Sequence, residues 1–277
     1  MKPITTEFLI VVRCHEFPGH VLDTIEAVWH WTDAGATMVV AAVDNSQTLA
    51  NMLNKHGVRT WVSEKRHGWG VGLFGMWWAS LEYFGRSIKY QYAISIDYDT
   101  LFINRGLEDK TRTLCEGGKV GIIGGVRDRN ERWVKAYSDN RAQIEKAWGF
   151  STKGYQEGHT VLGAFMAMTP EFLGEAKKRG FLNNAILWNA AGYCRLPDDV
   201  LLSILCESCG YRLVSAEPWG RLYWRMPVDP QGMEKKGVIV FHPTKIRPEL
   251  GKSGIETKVR EYFRGKRGAC ADDTSEK

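Results

Sequence analysis

Tyr92-Ala93-Ile94-Ser95-Ile96-Asp97-Tyr98-Asp99 is the stretch on which the reading of this chain turns. Tyr92 to Ile96 is short, mostly apolar and partly β-branched, the mark of a buried strand. It runs directly into two carboxylates two positions apart, which project to one side while the backbone stays extended. Two anions held that close raise each other's pKa unless a cation stands between them. A hard divalent ion resolves the conflict, since Mg²⁺ or Mn²⁺ takes one or two carboxylates and completes its shell with phosphate oxygens and water. The chemistry implied is a metal bridging protein to a nucleoside diphosphate. The triplet alone is equally a solvated turn; its place at a strand end gives it weight.

Upstream, strand and helix alternate. Phe8–Val12 reads as a strand, Val21–Trp31 as a helix after Pro18-Gly19, and Thr37–Val43 as a parallel strand buried on both faces. Asp44-Asn45-Ser46 is a turn able to cap a helix over Gln47–Lys55. Val58–Val62 and Trp69–Phe84 supply a further strand and a long helix. This β-α-β-α-β-α-β order predicts a parallel sheet with helices on both faces. Ligands of such sheets bind at the carboxyl ends of the strands, where Asp44 and Asp97 both fall.

Downstream the pattern is less regular. Strands are expected at Val120–Ile123, Val161–Met168 and Val238–Phe241, and helices at Pro170–Arg179 and Val200–Cys209. Arg127–Trp148 reads as helix and loop, and the small, polar end from about Gly268 as disordered. The expected organisation is one domain over residues 1–267, with a nucleotide-binding part over about 7–104, an acceptor-binding part over about 105–245, and a tail over 268–277.

Several residues carry candidate chemistry. Asp198-Asp199 opens a helix, where aspartate serves as a cap but also as a general base. His242, closing the last strand, can complete a metal site with Asp99, and Lys245 can meet a diphosphate. Arg66 and His67 precede Gly68-Trp69-Gly70-Val71-Gly72, whose glycines allow close approach to a phosphate or simply pack a helix on the sheet. Gly118, Gly121 and Gly124 do not follow the first strand of a β-α-β unit and read as packing. Trp77 and Trp78 read as core. Trp219, Tyr223 and Trp224 lie among Arg221 and Arg225, either as core or as an aromatic and basic platform for a sugar or base.

Composition bounds the rest. Of 277 residues, 44% are hydrophobic and 25% charged, which excludes disordered, collagen-like and fibrous classes. The longest apolar run, Met38 to Val43, is far short of the roughly 18–20 residues that span a bilayer. The net charge of +5 is compatible with a polyanionic partner, with Lys258, Arg260, Arg264, Lys266 and Arg267 concentrated near the end, where they also suit a solvated helix. Six cysteines in this length make no disulfide scaffold, and Met1-Lys2-Pro3 leads into no signal-peptide core, so a reducing cytoplasm is expected. Cys206-x-x-Cys209 falls in an apolar helix and reads as packing rather than a metal or redox site.

Taken together, over about residues 7–245, these features resemble the GT-A superfamily of nucleotide-sugar glycosyltransferases. The resemblance implies an α/β, GT-A-like Rossmann-type fold with a mostly parallel sheet flanked by helices. It implies that Val11, Arg13 and Asp44 grip the nucleotide, and that Asp97 and Asp99 bind Mn²⁺ or Mg²⁺ with His242 as a further ligand. Gly163 and Ala164 then line the sugar and acceptor, and Asp198-Asp199 holds the acceptor or acts as base. Many inverting members have Glu-Asp where this chain has Asp-Asp, which leaves the base and the stereochemistry open. A UDP-sugar is the expected donor. The chain is also similar to the glycosyltransferases paired with base-hydroxylating dioxygenases of the base-J type, which implies a hydroxymethylated pyrimidine in DNA as acceptor; a glycan, lipid or protein is the alternative. A sugar-phosphate nucleotidyltransferase would want a Gly-rich, basic signature after the first strand, which Arg13 to Gly19 does not supply. A binding module without chemistry would have no need of Asp97, Asp99 and His242 together.

Overall fold

The computed structural model describes residues 3–67, 71–182, 196–217, 219–222, 229–242 and 255–272. The chain begins with β1 (Ile4–Thr5), β2 (Phe8–Cys14), α1 (Pro18–Trp31), β3 (Thr37–Val43), α2 (Gln47–Lys55), β4 (Arg59–Val62) and α3 (Val71–Gly85). There follow β5 (Ile88–Lys89), β6 (Tyr92–Asp97), β7 (Leu101–Phe102), α4 (Leu107–Cys115), β8 (Val120–Arg127), α5 (Glu131–Trp148), β9 (Thr160–Met168) and α6 (Pro170–Lys178). The remainder holds α7 (Asp198–Ser208), β10 (Arg212–Ser215), β11 (Gly220–Arg221), α8 (Pro230–Lys235), β12 (Val240–Phe241) and α9 (Ile255–Asp272).

Among the described residues the main sheet has seven strands in the order β10-β8-β9-β6-β2-β3-β4. Every pairing is parallel except those of β9, which runs antiparallel between β6 and β8. The expected α/β architecture, a mostly parallel sheet flanked by helices, is therefore the observed one. β2, in the interior between β6 and β3, has all seven residues buried, which is why Phe8 to Val12 reads as a continuous apolar run. Successive side chains leave a strand on opposite faces, so β2 feeds two cores. Phe8, Ile10 and Val12 pack toward α1, α2 and α9; Leu9 and Val11 pack toward α3, α6 and α7. Trp77 and Trp78 are fully buried in the second core, as expected.

The small sheet β11-β12-β7 sits at the carboxyl rim and brings the end of β12 to the turn after β6. Gly121 and Gly124 behave as packing glycines. A Cβ on Gly121 would lie 2.4 Å from Cys206 Sγ, and one on Gly124 would lie 2.6 Å from the Phe165 carbonyl. Cys206 is wholly buried, and burial pushes its thiol well above the ordinary range, the opposite of a reactive thiolate. No helix among the described residues is long and apolar enough to cross a membrane.

The final helix departs from expectation. It continues to Asp272, past Gly268, where disorder was expected. Arg260 and Arg267, read from sequence as part of a solvated basic stretch, are 2% and 8% exposed and both pair with buried Asp23 of α1. Arg264 also reaches Asp23, and Lys266 pairs with Glu234. Of these basic residues, Arg260 and Arg267 lie on the face that docks, where α1 supplies the Asp23 carboxylate.

Candidate active site and metal centre

β2, β3 and β6 end side by side, and their carboxyl ends line a cleft of about 260 Å³. Register alone places Arg13 opposite Asp97. Asp44, Arg66, Asp97 and Asp99 line this cleft, with His15 and Tyr98 beside them. A larger groove of about 580 Å³ lies at the other end of the sheet, between Ile88, Tyr90 and Leu173, but its described lining has no histidine and no carboxylate pair.

Asp97, Asp99 and His242 each offer one ligand atom, and these atoms lie within 4.8 Å of one another. His242 follows β12 directly and is fixed by its backbone N–H, which donates to the Arg221 carbonyl at 2.9 Å. Its Nε2 is 3.3 Å from Asp99 Oδ2. Asp99 is fully buried, whereas the Asp97 side chain is 32% exposed and faces the cleft. Burial pushes the Asp97 carboxyl up, with the Asp99 charge adding to it and Arg13 opposing. Two carboxylates and one imidazole fit a divalent ion, and the mixed oxygen and nitrogen set suits Mn²⁺ better than Mg²⁺.

Arg13 joins this centre to the second acidic pair. Its Nη2 donates to Asp97 Oδ1 at 2.8 Å and to the Gly163 carbonyl at 2.6 Å, while Nη1 donates to Asp198 Oδ2 at 2.5 Å. Burial alone would lower the Arg13 pKa, but Asp97 and Asp198 hold it above its ordinary value. The guanidinium is 3% exposed and both Nη groups donate to the protein, so Arg13 organises the carboxylates around it. A carboxylate accepts on both oxygens, so the bond from Arg13 does not exhaust Asp97.

The acidic pair then divides in two. Asp198 is buried and tied to Arg13. Asp199 is half-buried, and burial, followed by the Asp198 charge, pushes its pKa up to about 7. Both residues border Gly163, where a Cβ would stand 3.5 Å from Asp198 Oδ2 and 3.7 Å from the Asp199 Cβ.

Other expectations fare differently. Asp44 Oδ1 accepts from Ser63 Oγ at 3.1 Å and from the His67 N–H at 2.8 Å, which fixes the loop carrying exposed Arg66 to the cleft. Val11, expected to contact the nucleotide, lies three residues short of the strand end with its side chain fully buried in the core. Of the two readings of Trp219, core or platform, its burial favours the core. Trp219 is 5% exposed and meets Phe165 edge-on at 5.8 Å inside the other core. Ala164 is buried, and its carbonyl accepts from Thr100 Oγ1 at 2.8 Å. Arg221 is half-buried in β11. Trp224, Tyr223, Arg225, Lys245 and Gly68 to Gly70 lie outside the described residues.

Sequence reading passed over the short segment after β2. Phe17 adopts a left-handed φ of 54° and is 47% exposed, stacked 6.0 Å from the Tyr98 ring. The Tyr98 hydroxyl donates to Glu16 at 3.3 Å, and His15 meets the same ring edge-on. Three consecutive polar or aromatic residues at a rim-facing strand end are the signal that marks this segment.

No protein-family model and no curated protein matches the chain. Two solved structures superpose on much of it. Mouse xyloside xylosyltransferase 1, in its apo form, does so with a TM-score of 0.46 and 10% identity, over 87% of this chain and 98% of that one. The mannosyltransferase PcManGT from Pyrobaculum calidifontis, in complex with GDP-Man and Mn²⁺, gives a TM-score of 0.46 and 14% identity over 79% of this chain. This chain spans only 56% of that protein's length. At scores and identities this low, the likenesses assign neither family nor activity, and both questions rest on the chain's own residues.

Proposed function

We propose that this protein is a metal-dependent glycosyltransferase that moves a sugar from a nucleotide-sugar donor to an acceptor hydroxyl. The observation that carries the reading is the cluster of Asp97, Asp99 and His242 at the carboxyl rim of a parallel sheet, opening on the cleft that Asp44 and Arg66 line. A divalent ion held there would neutralise the diphosphate leaving group. Arg66, exposed at the cleft, would add a second positive charge to the diphosphate, and Asp44 would orient the ribose or base. Asp199 is the base of choice over Asp198: it is the more accessible, and its raised pKa suits proton abstraction near neutrality. Asp198 and Arg13 act as the frame that holds Asp199 and Asp97 on either side of Gly163.

A UDP-sugar is the donor we favour, and a hydroxymethylated pyrimidine in DNA the acceptor. The DNA reading is supported by the net charge of +5 and by the resemblance to the base-J-type enzymes. It draws no support from Arg260, Arg267 or Trp219, which the fold consumes. The test has two stages. Thermal stabilisation by a panel of nucleotide-sugars, with and without Mn²⁺, should find a donor whose effect requires metal, because binding to the native state raises its stability. Mass spectrometry of nucleosides from 5-hydroxymethylcytosine or 5-hydroxymethyluracil DNA, after incubation with that donor, should show a sugar-sized gain. Hydrolysis of the donor without any gain on either base would move the acceptor to a glycan, lipid or protein. Absence of any metal-dependent donor would remove the transferase reading itself.

A further inference from the structure

The turn between Asp97 and Asp99 is held from beneath by two side chains that line no part of the cleft. Thr24, fully buried in α1, donates its hydroxyl to the Tyr98 carbonyl at 2.7 Å and lies 3.1 Å from the Thr100 carbonyl. Arg260 of α9 donates Nη2 to the same Tyr98 carbonyl at 3.1 Å and to Thr24 Oγ1 at 3.2 Å. Its Nη1 donates to Asp23 Oδ2 at 2.5 Å. Asp23 in turn accepts from Arg264 and Arg267, so the guanidinium is anchored before it reaches the turn. The amide side of the turn is fixed separately: the Tyr98 N–H donates to the Arg13 carbonyl at 3.2 Å, and the Thr100 N–H to the Asp97 carbonyl at 2.9 Å.

We propose that Arg260 is a positioning residue for the metal centre, gripping the Tyr98 carbonyl so that Asp97 and Asp99 stay aimed at one point. The proposal rests on the metal reading of Asp97, Asp99 and His242 given above. Tyr98 is the only residue between the two carboxylates, and rotation of its carbonyl would swing Asp99 away from His242. A turn left loose would pay its ordering entropy when the ion binds, and that cost would appear as lost affinity. Arginine is needed for geometry rather than charge. A cation this near the site repels a metal ion, so the positive charge by itself works against binding. The guanidinium fork, however, reaches Asp23 and Tyr98 together, and a single ammonium has no such fork.

Arg260→Lys in the full-length protein separates the two effects, since it keeps the charge and removes the fork. The probe is Mn²⁺ alone, titrated without nucleotide and followed by the electron paramagnetic resonance signal of the free ion. Circular dichroism and melting should remain those of a folded protein, while the Mn²⁺ Kd rises about tenfold, the scale of outer-shell substitutions. Arg264→Ala, which removes the exposed arm of the same Asp23 network, should leave Kd unchanged. Thr24→Val removes the other donor to the Tyr98 carbonyl and should raise Kd in the same direction. Wild-type Kd in both Arg260→Lys and Thr24→Val, with binding abolished in Asp99→Ala, overturns the positioning role and spares the metal reading. Undiminished Mn²⁺ binding in Asp99→Ala overturns the metal reading itself. Failure of Arg260→Lys to fold leaves the decision to Thr24→Val, where wild-type Kd overturns the proposal.

Discussion

Arg13→Met is the sharpest test of how the site is built. The substitution keeps much of the side chain's length and removes a buried cation that two carboxylates share. Asp198 is 5% exposed, so it would lose its partner without gaining water. Removing one member of a buried ion pair costs about 3–5 kcal/mol, because the remaining charge stays buried and uncompensated. Asp97 is a third exposed, and solvent screens its loss to about 1 kcal/mol or less. The expected penalty is therefore about 5 kcal/mol at neutral pH, a large share of the roughly 5–15 kcal/mol that stabilises a typical native protein. The penalty should depend on pH with a definite sign. An uncompensated buried carboxylate destabilises the fold only while it is ionised, so the penalty belongs to neutral and alkaline solution and fades in acid. Urea unfolding of both proteins in metal-free buffer, at about pH 8 and about pH 4, reads this directly. The gap should be widest at the higher pH and should shrink by half or more at the lower. A gap under about 1 kcal/mol at the higher pH, or one equal at both, would refute the buried-bridge account.

Three further outcomes are expected. His242→Ala should fold normally and raise the Mn²⁺ needed for half-maximal donor hydrolysis at least about tenfold, and an unchanged Mn²⁺ requirement returns His242 to a plain loop role. Asp199→Asn should lower turnover by about 10²–10⁴ at saturating donor. Wild-type turnover should rise with pH to a plateau above about 7, because the base works only when ionised, and a flat profile across neutrality excludes Asp199 as that base. The same raised pKa means that ionising Asp199 removes stability as pH climbs through about 7, so Asp199→Asn should melt higher than wild type on the alkaline side. Gly121→Ala should cost about 1–3 kcal/mol, because its new methyl would lie 2.4 Å from Cys206 Sγ and 2.7 Å from the Tyr211 Cβ; a melting temperature equal to wild type would show that the interior gives way there freely.

Much of the frame is legible because its signals are local. A strand buried on both faces must be apolar throughout, so Thr37–Val43 has the same limits in the sequence reading and in the fold. Gln47–Lys55 does too, because Ser46 accepts from the Leu49 N–H and caps the helix as its turn sequence indicates. β8 is longer than its apolar run: it continues through Gly124 to Arg127 because pairing with β9 supplies hydrogen bonds that no local pattern announces. Val11 and Trp219 show the converse. Each looks available in sequence, yet Val11 points into the layer beneath α3, and Trp219 is enclosed against Phe165.

What the chain alone determined is the order of strands and helices, the rim position of Asp44, Asp97 and Asp99, and the existence of a late histidine within reach of that rim. These follow from residue spacing and hydrophobic period, which act over a few positions. Which charge neutralises which was decided only by the tertiary structure. Arg13 lies 84 residues from Asp97 and 185 from Asp198, and Arg260 lies 237 from Asp23, so no periodicity could pair them. Burial then set apart arginines that look alike in sequence. Arg264 remains 57% exposed at the surface, while Arg260, one helical turn away, is 2% exposed beneath the turn that carries the two carboxylates. A buried guanidinium needs an acceptor for its charge, and only the docking of α9 on α1 brings Asp23 and the Tyr98 carbonyl close enough to provide one.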